Sequence, residues 1–290
     1  MPFFLPLLLQ AYDPEIEAVM NRSRREKQEE RAAAAQNVAA QKAAPQARAD
    51  GKIPIPAKFA QPFQACLDAA AESTEAGVAF AEKWRIDGGS FYARNCMGFA
   101  LSQAERWGAA IVAFEQGAEE AERSGEIAQS ARLWAQAGNA ALAGGDAAKA
   151  RNDFDAALAR GLPDGIEKGE AHLDRARALV ALNDVDGARQ SLDVALMQAP
   201  QDPLTWLLSA TLARRSGEMA LAREQIARAV KLSPDDASVA LEEGNIAILS
   251  DHEDIAQAAW ERAVKLAAQS PAGKAAAENL ARLKPAPPAN

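Results

Sequence analysis

Residues 203–236 read PLTWLLSATLARRSGEMALAREQIARAVKLSPDD, and residues 237–270 follow the same pattern as ASVALEEGNIAILSDHEDIAQAAWERAVKLAAQS. Each stretch contains two runs of helix-forming residues separated by a short turn, which is Ser216-Gly217-Glu218 in the first. Small residues return at the same places in both stretches. Because two helices approach to ~8–10 Å only where the side chains between them are small, the pattern predicts a repeated helical hairpin.

The same pattern continues towards the N-terminus, with an insertion around residues 161–167 and a degenerate first copy in which Ala76 and Phe80 are the clearest members. A small residue recurs in each first helix, and a large residue that fills the space between neighbouring hairpins recurs in each second helix. Since no single hairpin buries its apolar face, stacking supplies the core. The small residues are Gly98, Gly138, Ala176, Ala210 and Gly244, and the large ones are Phe114, Phe154, Leu192, Ile226 and Trp260.

This pattern resembles the tetratricopeptide repeat family over about residues 57–268. The stretch from Trp134 to Gly138 is similar to the family's Trp-x2-Leu-Gly feature, whereas Arg94, His172 and Ala240 stand where the family has an aromatic residue. The resemblance implies an all-α, right-handed solenoid of about six helical hairpins, closed by a C-terminal capping helix.

The composition agrees with an all-α fold and excludes several functions. Alanine occurs 71 times and aromatic residues make up only 6% of the chain, which favours packed helices over β-sheet. A net charge of −8 argues against general affinity for nucleic acid, which needs a basic surface. No run of 18 apolar residues occurs, so we expect no transmembrane span.

Four segments are predicted. Residues 1–12, MPFFLPLLLQAY, resemble the back half of a secretory signal peptide or are simply an apolar terminus. Residues 13–56 form a charged helical arm and a Pro-rich linker, within which residues 22–52 carry a net charge of +4. That arm either touches a membrane surface or an acidic partner, or is a solvated helix. Residues 57–271 form the solenoid, and residues 272–290 the capping helix and a disordered tail.

The sequence contains no constellation of residues that predicts an enzyme. There is no phosphate-binding glycine loop. His172 falls where other hairpins carry tryptophan, so we interpret it as a packing residue. With two histidines and two distant cysteines, we expect neither a metal site nor a cofactor.

Cys66 and Cys96 fall in the first helices of adjacent hairpins, so the two thiols can meet in a disulfide. A closed loop of about 31 residues would stabilise the fold by roughly 3.5–4 kcal/mol in the chain-entropy model. A disulfide and a signal-like N-terminus together favour a periplasmic or secreted protein, since disulfides persist in oxidising compartments. A cytoplasmic location with two buried thiols remains the alternative. The alanine content and 21 arginines against 11 lysines suggest a GC-rich bacterial genome.

The resemblance also implies a concave groove, lined by the first helices, that binds a peptide segment. Four arginines against one acid, Glu170, predict a charge of +3 on this face, with Leu173, Leu207 and Leu241 as apolar seats. The same face includes Ile248 and Leu249. The candidate contact residues are Tyr92, Asn95, Phe99, Arg132, Asn139, Arg177, Thr211, Arg214, Arg215 and Asn245.

These features predict a non-catalytic scaffold of the bacterial envelope that binds a protein segment with apolar anchors and acidic residues. One alternative is a structural or assembly subunit that acts through its convex face or its N-terminal arm. Another is a cytoplasmic adaptor of the same family. Weak self-association is compatible with each of these.

Overall fold

The computed structural model describes residues 55–283, and the account of the structure is confined to them. Within this range thirteen α-helices follow one another and no β-strand occurs. The first twelve helices form six hairpins, and the thirteenth closes the chain. The predicted all-α fold of helical hairpins is therefore confirmed. The predicted signal-like segment, most of the charged arm and the C-terminal tail lie outside the described residues.

The helices form two compact units, each of which is described by itself. The first unit, residues 55–199, contains α1 (Ala57–Glu72), α2 (Thr74–Trp84), α3 (Ser90–Gln103), α4 (Trp107–Arg123), α5 (Ile127–Ala143), α6 (Ala147–Ala159), α7 (Ile166–Ala181) and α8 (Val185–Gln198). The second unit, from residue 200, contains α9 (Pro203–Arg215), α10 (Met219–Leu232), α11 (Ala237–Ile248), α12 (Glu253–Ala267) and α13 (Pro271–Leu283). The helix predicted at residues 272–283 is α13.

Five of the six hairpins are closed by a tight turn with one left-handed residue, whereas the first turns at Ser73 in extended backbone. Gly217, Asn183, Asp251 and Glu105 occupy the same repeat position in four hairpins, with φ of 78°, 60°, 61° and 57°. Left-handed backbone costs an ordinary L-residue about 1–2 kcal/mol, whereas glycine adopts it freely and Asn or Asp tolerate it. Glu105 is therefore the least suited residue of this set to its turn.

The pairing of small and large residues across each hairpin determines how closely its helices pack. A Cβ atom added to Gly98 would lie 2.5 Å from the ring of Phe114, and one added to Gly244 would lie 2.3 Å from Trp260. These glycines leave room for the aromatic rings of the second helices. Where the second helix carries Leu192 or Ile226 instead of an aromatic residue, the first helix carries alanine at the matching position.

The first hairpin departs from the predicted register. The buried residues of α2 are Gly77, Ala81 and Trp84, one position later than Ala76 and Phe80 suggested. A kinked segment, Arg85–Gly89, in which Gly88 has a φ of 94°, then leads directly into α3. The hairpin is joined to its neighbour by a disulfide between Cys66 in α1 and Cys96 in α3, whose Cα atoms are 6.3 Å apart.

Candidate protein-binding faces

The first helices of the hairpins line one side of each unit, which we call the first-helix face. It comprises α3, α5 and α7 in the first unit, and α9, α11 and α13 in the second, because α13 begins one 34-residue period after α11. Within the units, α5 contacts α7, α9 contacts α11, and α11 contacts α13. The candidate residues are therefore carried by neighbouring helices.

Two of the candidate residues belong to the core, so the expectation that they line an open surface is wrong. Tyr92 is only 5% exposed, and its ring lies 4.7 Å from that of Phe59 and 4.2 Å from that of Phe91. Burial, with a smaller contribution from Glu126, raises the pKa of Tyr92. Thr211 is also 5% exposed, and its hydroxyl donates to the carbonyl oxygen of its own helix four residues earlier, at 2.9 Å. The predicted apolar seats Leu173, Leu207 and Leu241 are buried as well.

The arginines of the first unit's face are paired with carboxylates. Arg132 in α5 binds Glu167 at the start of α7 through two hydrogen bonds, of 2.7 and 2.9 Å. Arg177 pairs with Asp174, one turn earlier in α7, at 2.8 Å. Because these acids reach the same face as Glu170, the positive charge predicted for it is wrong in this unit.

In the second unit, a chain of polar contacts crosses the middle of the face. Arg214 in α9 donates to Glu242 in α11 at 2.6 Å, and Asn245 donates to the same carboxylate at 3.2 Å. The amide oxygen of Asn245 accepts hydrogen bonds from the indole of Trp260 at 3.2 Å and from Asn279 in α13 at 3.1 Å. Asn245 thus joins three helices and acts as a structural residue.

The remaining candidates are placed where a partner can reach them. Asn95 and Phe99 on α3 and Asn139 on α5 are half-buried. Arg215 is exposed at the end of α9.

The most exposed apolar side chain on the second unit's face is Leu249, which directly follows α11 and is 57% exposed. Arg215 and Leu283 occupy the same repeat position at the ends of α9 and α13, and exposed Arg282 precedes Leu283. The C-terminal ends of three adjacent first helices thus combine apolar and basic side chains. Sequence reasoning missed Arg282 and Leu283 because α13 was interpreted as a cap, although the 34-residue spacing of the helix starts was visible.

The two strongly shifted pKa values belong to packing residues of the first unit. Burial, with the nearby charges of Arg175 and Lys168, lowers the pKa of His172 to about 4. Burial raises the pKa of Asp153 in α6 to about 6, although its contact with Lys149 acts in the opposite direction. Among residues 55–283, no three His, Cys, Asp or Glu side chains are arranged to hold a metal ion.

Comparisons with known proteins agree with this architecture. The tetratricopeptide repeat family model matches residues 141–212. PilF of Pseudomonas aeruginosa shares the fold at a TM-score of 0.61 and 15% identity, over 78% of this chain and 99% of its own. BtubC of P. vanneervenii does so at 0.56 and 13%, over 79% and 96%. YrrB, described as a TPR protein with an unusual peptide-binding site, reaches 0.50 at 17% identity, over 64% and 91%.

No curated protein matches the sequence. None of the helices described between residues 55 and 283 combines the length and the apolar character that crossing a bilayer requires.

Proposed function

We propose that this chain, of which residues 141–212 match the tetratricopeptide repeat family model and whose fold is shared by PilF, is a non-catalytic scaffold that binds a segment of another protein. The repeats of this family generally serve protein–protein interaction, and YrrB is a repeat protein with a peptide-binding site. The observation that carries the proposal is the exposed end of the second unit's first-helix face. There Leu249 stands between Arg215 and Arg282 on adjacent helices.

The chemistry of this surface defines the partner. Exposed Leu249 and half-buried Leu283 supply shallow apolar contacts, and the two arginines pair with carboxylates in two-point geometry. The partner segment therefore combines apolar anchors with acidic residues. Its affinity falls as salt is added, since exposed charges are screened beyond ~8 Å at physiological ionic strength.

The test begins with a partner identified by crosslinking in the native host, which is then titrated against two matched triple variants. Arg215→Ala/Leu249→Ala/Arg282→Ala removes the surface and should weaken binding by about tenfold or more. Arg223→Ala/Ile255→Ala/Lys265→Ala removes an equal set of exposed residues from the second helices α10 and α12. Equal affinities of the two folded variants would refute the assignment of this face.

We further propose that the protein works in an oxidising compartment, such as the bacterial periplasm. The support is the Cys66–Cys96 disulfide, whose two sulfurs are fully buried within the first unit. Trapping free thiols with an alkylating reagent in intact host cells should leave both cysteines unmodified and disulfide-bonded. Alkylation of both cysteines at the moment of lysis would place the protein in a reducing compartment.

A further inference from the structure

We infer that the basic N-terminal segment, residues 22–48, binds back onto the first-helix face of the first unit of the same chain. This surface is separate from the partner site proposed on the second unit, so the two assignments stand or fall independently. The segment itself lies outside the described residues.

Charge complementarity is the first reason. Residues 22–48 contain seven Lys and Arg and three Asp and Glu, which gives a net charge of +4. Residues 55–199 contain fourteen Lys and Arg and twenty-one Asp and Glu, a net charge of −7, whereas residues 200–290 carry only −2. Attraction between the segment and the chain that follows it is therefore concentrated on the first unit.

The second reason is where the acids of this unit lie. Glu167, Glu170 and Asp174 follow one another in α7 at spacings of three and four residues, so they share one side of the helix. Glu167 and Asp174 are bound to Arg132 and Arg177 on this face. Three carboxylates therefore stand against two arginines here, a net charge of −1, and two of the carboxylates are oriented by those arginines. Lys and Arg side chains of the segment would extend these pairs into a network of ion pairs. Surface ion pairs contribute most to stability when they form such networks.

The face also offers apolar surface to the methylene groups of long basic side chains. Phe99 in α3 and Leu142 in α5 are half-buried near the C-terminal ends of their helices. Lys and Arg lay their aliphatic stems along such surfaces while their charged ends reach carboxylates. Residues 22–48, which contain seven basic side chains together with short runs of alanine, fit this combination.

Chain length allows the contact within one molecule. Since α1 contacts α3 and α5 contacts α7, and packed helices lie ~8–10 Å apart, the row of first helices from α1 to α7 spans on the order of 30 Å. Extended chain spans ~3.3–3.6 Å per residue, so residues ten or more positions before Ile55 can reach α7. Because the segment is tethered next to the unit, its effective concentration is of the order of millimolar, well above that of a second copy in solution.

The experiment uses the full chain and a zero-length carbodiimide crosslinker, which joins an ammonium group to a carboxylate in contact with it. Lys27 and Lys42 are the two lysines of the segment. In the monomeric fraction, mass spectrometry should find them joined to Glu167, Glu170 or Asp174. The yield should fall by roughly tenfold when salt shortens the Debye length from about 10 Å to about 3 Å.

Two variants decide between specific docking and general attraction. Glu170→Gln/Asp174→Asn removes two of the three carboxylates and should also lower the yield of crosslinks to the remaining one, Glu167, whereas Asp186→Asn/Asp193→Asn on α8 should leave the crosslinks to Glu167 unchanged. Since loss of Asp174 removes the partner of Arg177, an Arg22→Gln/Arg24→Gln/Arg25→Gln variant lowers the charge of the segment without altering the first unit. It retains both lysines and should reduce the yield several-fold.

Three results would overturn the inference. Crosslinks spread evenly over α7 and α8 would indicate non-specific attraction. Crosslinks found only in a dimeric fraction would assign the contact to a second copy. A yield that does not change with salt would exclude ion pairing as its cause.

Discussion

Alanine substitution at Gly98, Gly138 and Gly244 should lower the free energy of unfolding by unequal amounts. The loss should be larger where the added Cβ atom would lie closer to the aromatic ring that packs against the glycine. An added Cβ would lie 2.5 Å from the nearest ring carbon of Phe114 at Gly98. At Gly138 the nearest atom of Phe154 is 3.0 Å away, and at Gly244 the indole nitrogen of Trp260 is 2.3 Å away. The expected order of destabilisation is Gly244→Ala, then Gly98→Ala, then Gly138→Ala.

Two opposing contributions set the magnitudes. Alanine in a helix interior is favoured over glycine by about 1 kcal/mol, whereas overpacking a core costs ~1–3 kcal/mol. At Gly138 the ring needs to give by only a few tenths of an ångström, so the two contributions nearly cancel. At Gly98 the whole ring must move, and we expect a net loss of about 2 kcal/mol. At Gly244 the displaced indole also strains its hydrogen bond to Asn245, which adds ~1 kcal/mol.

Urea unfolding followed by circular dichroism measures these differences, with Gly108→Ala as the control. Gly108 lies in α4, and an added Cβ there meets no described atom within 4 Å. The control should therefore gain stability, by up to about 1 kcal/mol.

A second-site change tests the cause. The hairpins that carry Leu192 and Ile226 already use alanine at the glycine position, so Phe114→Leu should relieve Gly98→Ala. The double variant should be more stable than the sum of the single changes predicts, by about 1–2 kcal/mol. Additive effects, or equal losses at all three glycines, would refute the idea that ring size dictates the small residue.

Three further predictions concern the first unit. Replacing Cys66 and Cys96 with alanine should lower the free energy of unfolding by about 3.5–4 kcal/mol, because the disulfide closes a loop of about 31 residues in the unfolded chain. Reducing agent should lower the Tm of the wild type but not that of the variant. Glu105→Gly should stabilise by about 0.5–1 kcal/mol in the same melts, since it relieves a left-handed residue; a lower Tm would show that the Glu105 side chain contributes more than its backbone strain costs. Folding lowers the pKa of His172 from about 6.5 to about 4, so the stability that the neutral imidazole contributes is lost as pH falls through this range. Between about pH 7 and pH 5, the free energy of unfolding of the wild type should therefore fall by up to about 2 kcal/mol more than that of His172→Gln. The raised pKa of Asp153 makes the folded protein more stable as pH falls below about 6, and it does so equally in the wild type and in His172→Gln. Identical pH profiles of the two proteins would therefore rule out the assignment to His172.

The fold could be predicted from the sequence wherever the repeat supplied several copies to compare. Five hairpins share the small residue of the first helix and the large residue of the second, and the structure confirms the helices around each pair. The first hairpin has no such agreement with the others. There Trp84 and the segment Arg85–Gly89 shift the buried side of α2 by one residue. A single degenerate copy gives no second sequence against which to fix the register.

The candidate site could be predicted only as far as the choice of face. Repeat position places Arg132 and Arg214 on the first helices, but it does not identify their partners. Glu167 lies 35 residues after Arg132, in the insertion that interrupts the period, and Glu242 lies 28 residues after Arg214. Charge balance on a face depends on such contacts between neighbouring hairpins, which no periodicity within one hairpin reveals.

These contacts also determine which residues can serve a partner and which cannot. The repeat position of Asn245 predicts a contact with a bound peptide, yet its amide group already joins Glu242, Trp260 and Asn279. Substituting Asn245 would therefore loosen α12 and α13 before it changed any binding surface. Because the middle of the second unit's face is occupied by its own hydrogen bonds, the partner site that we propose lies at the ends of the first helices. There Leu249 is exposed, and we expect its substitution to alter binding while the hydrogen bonds of Asn245 stay in place.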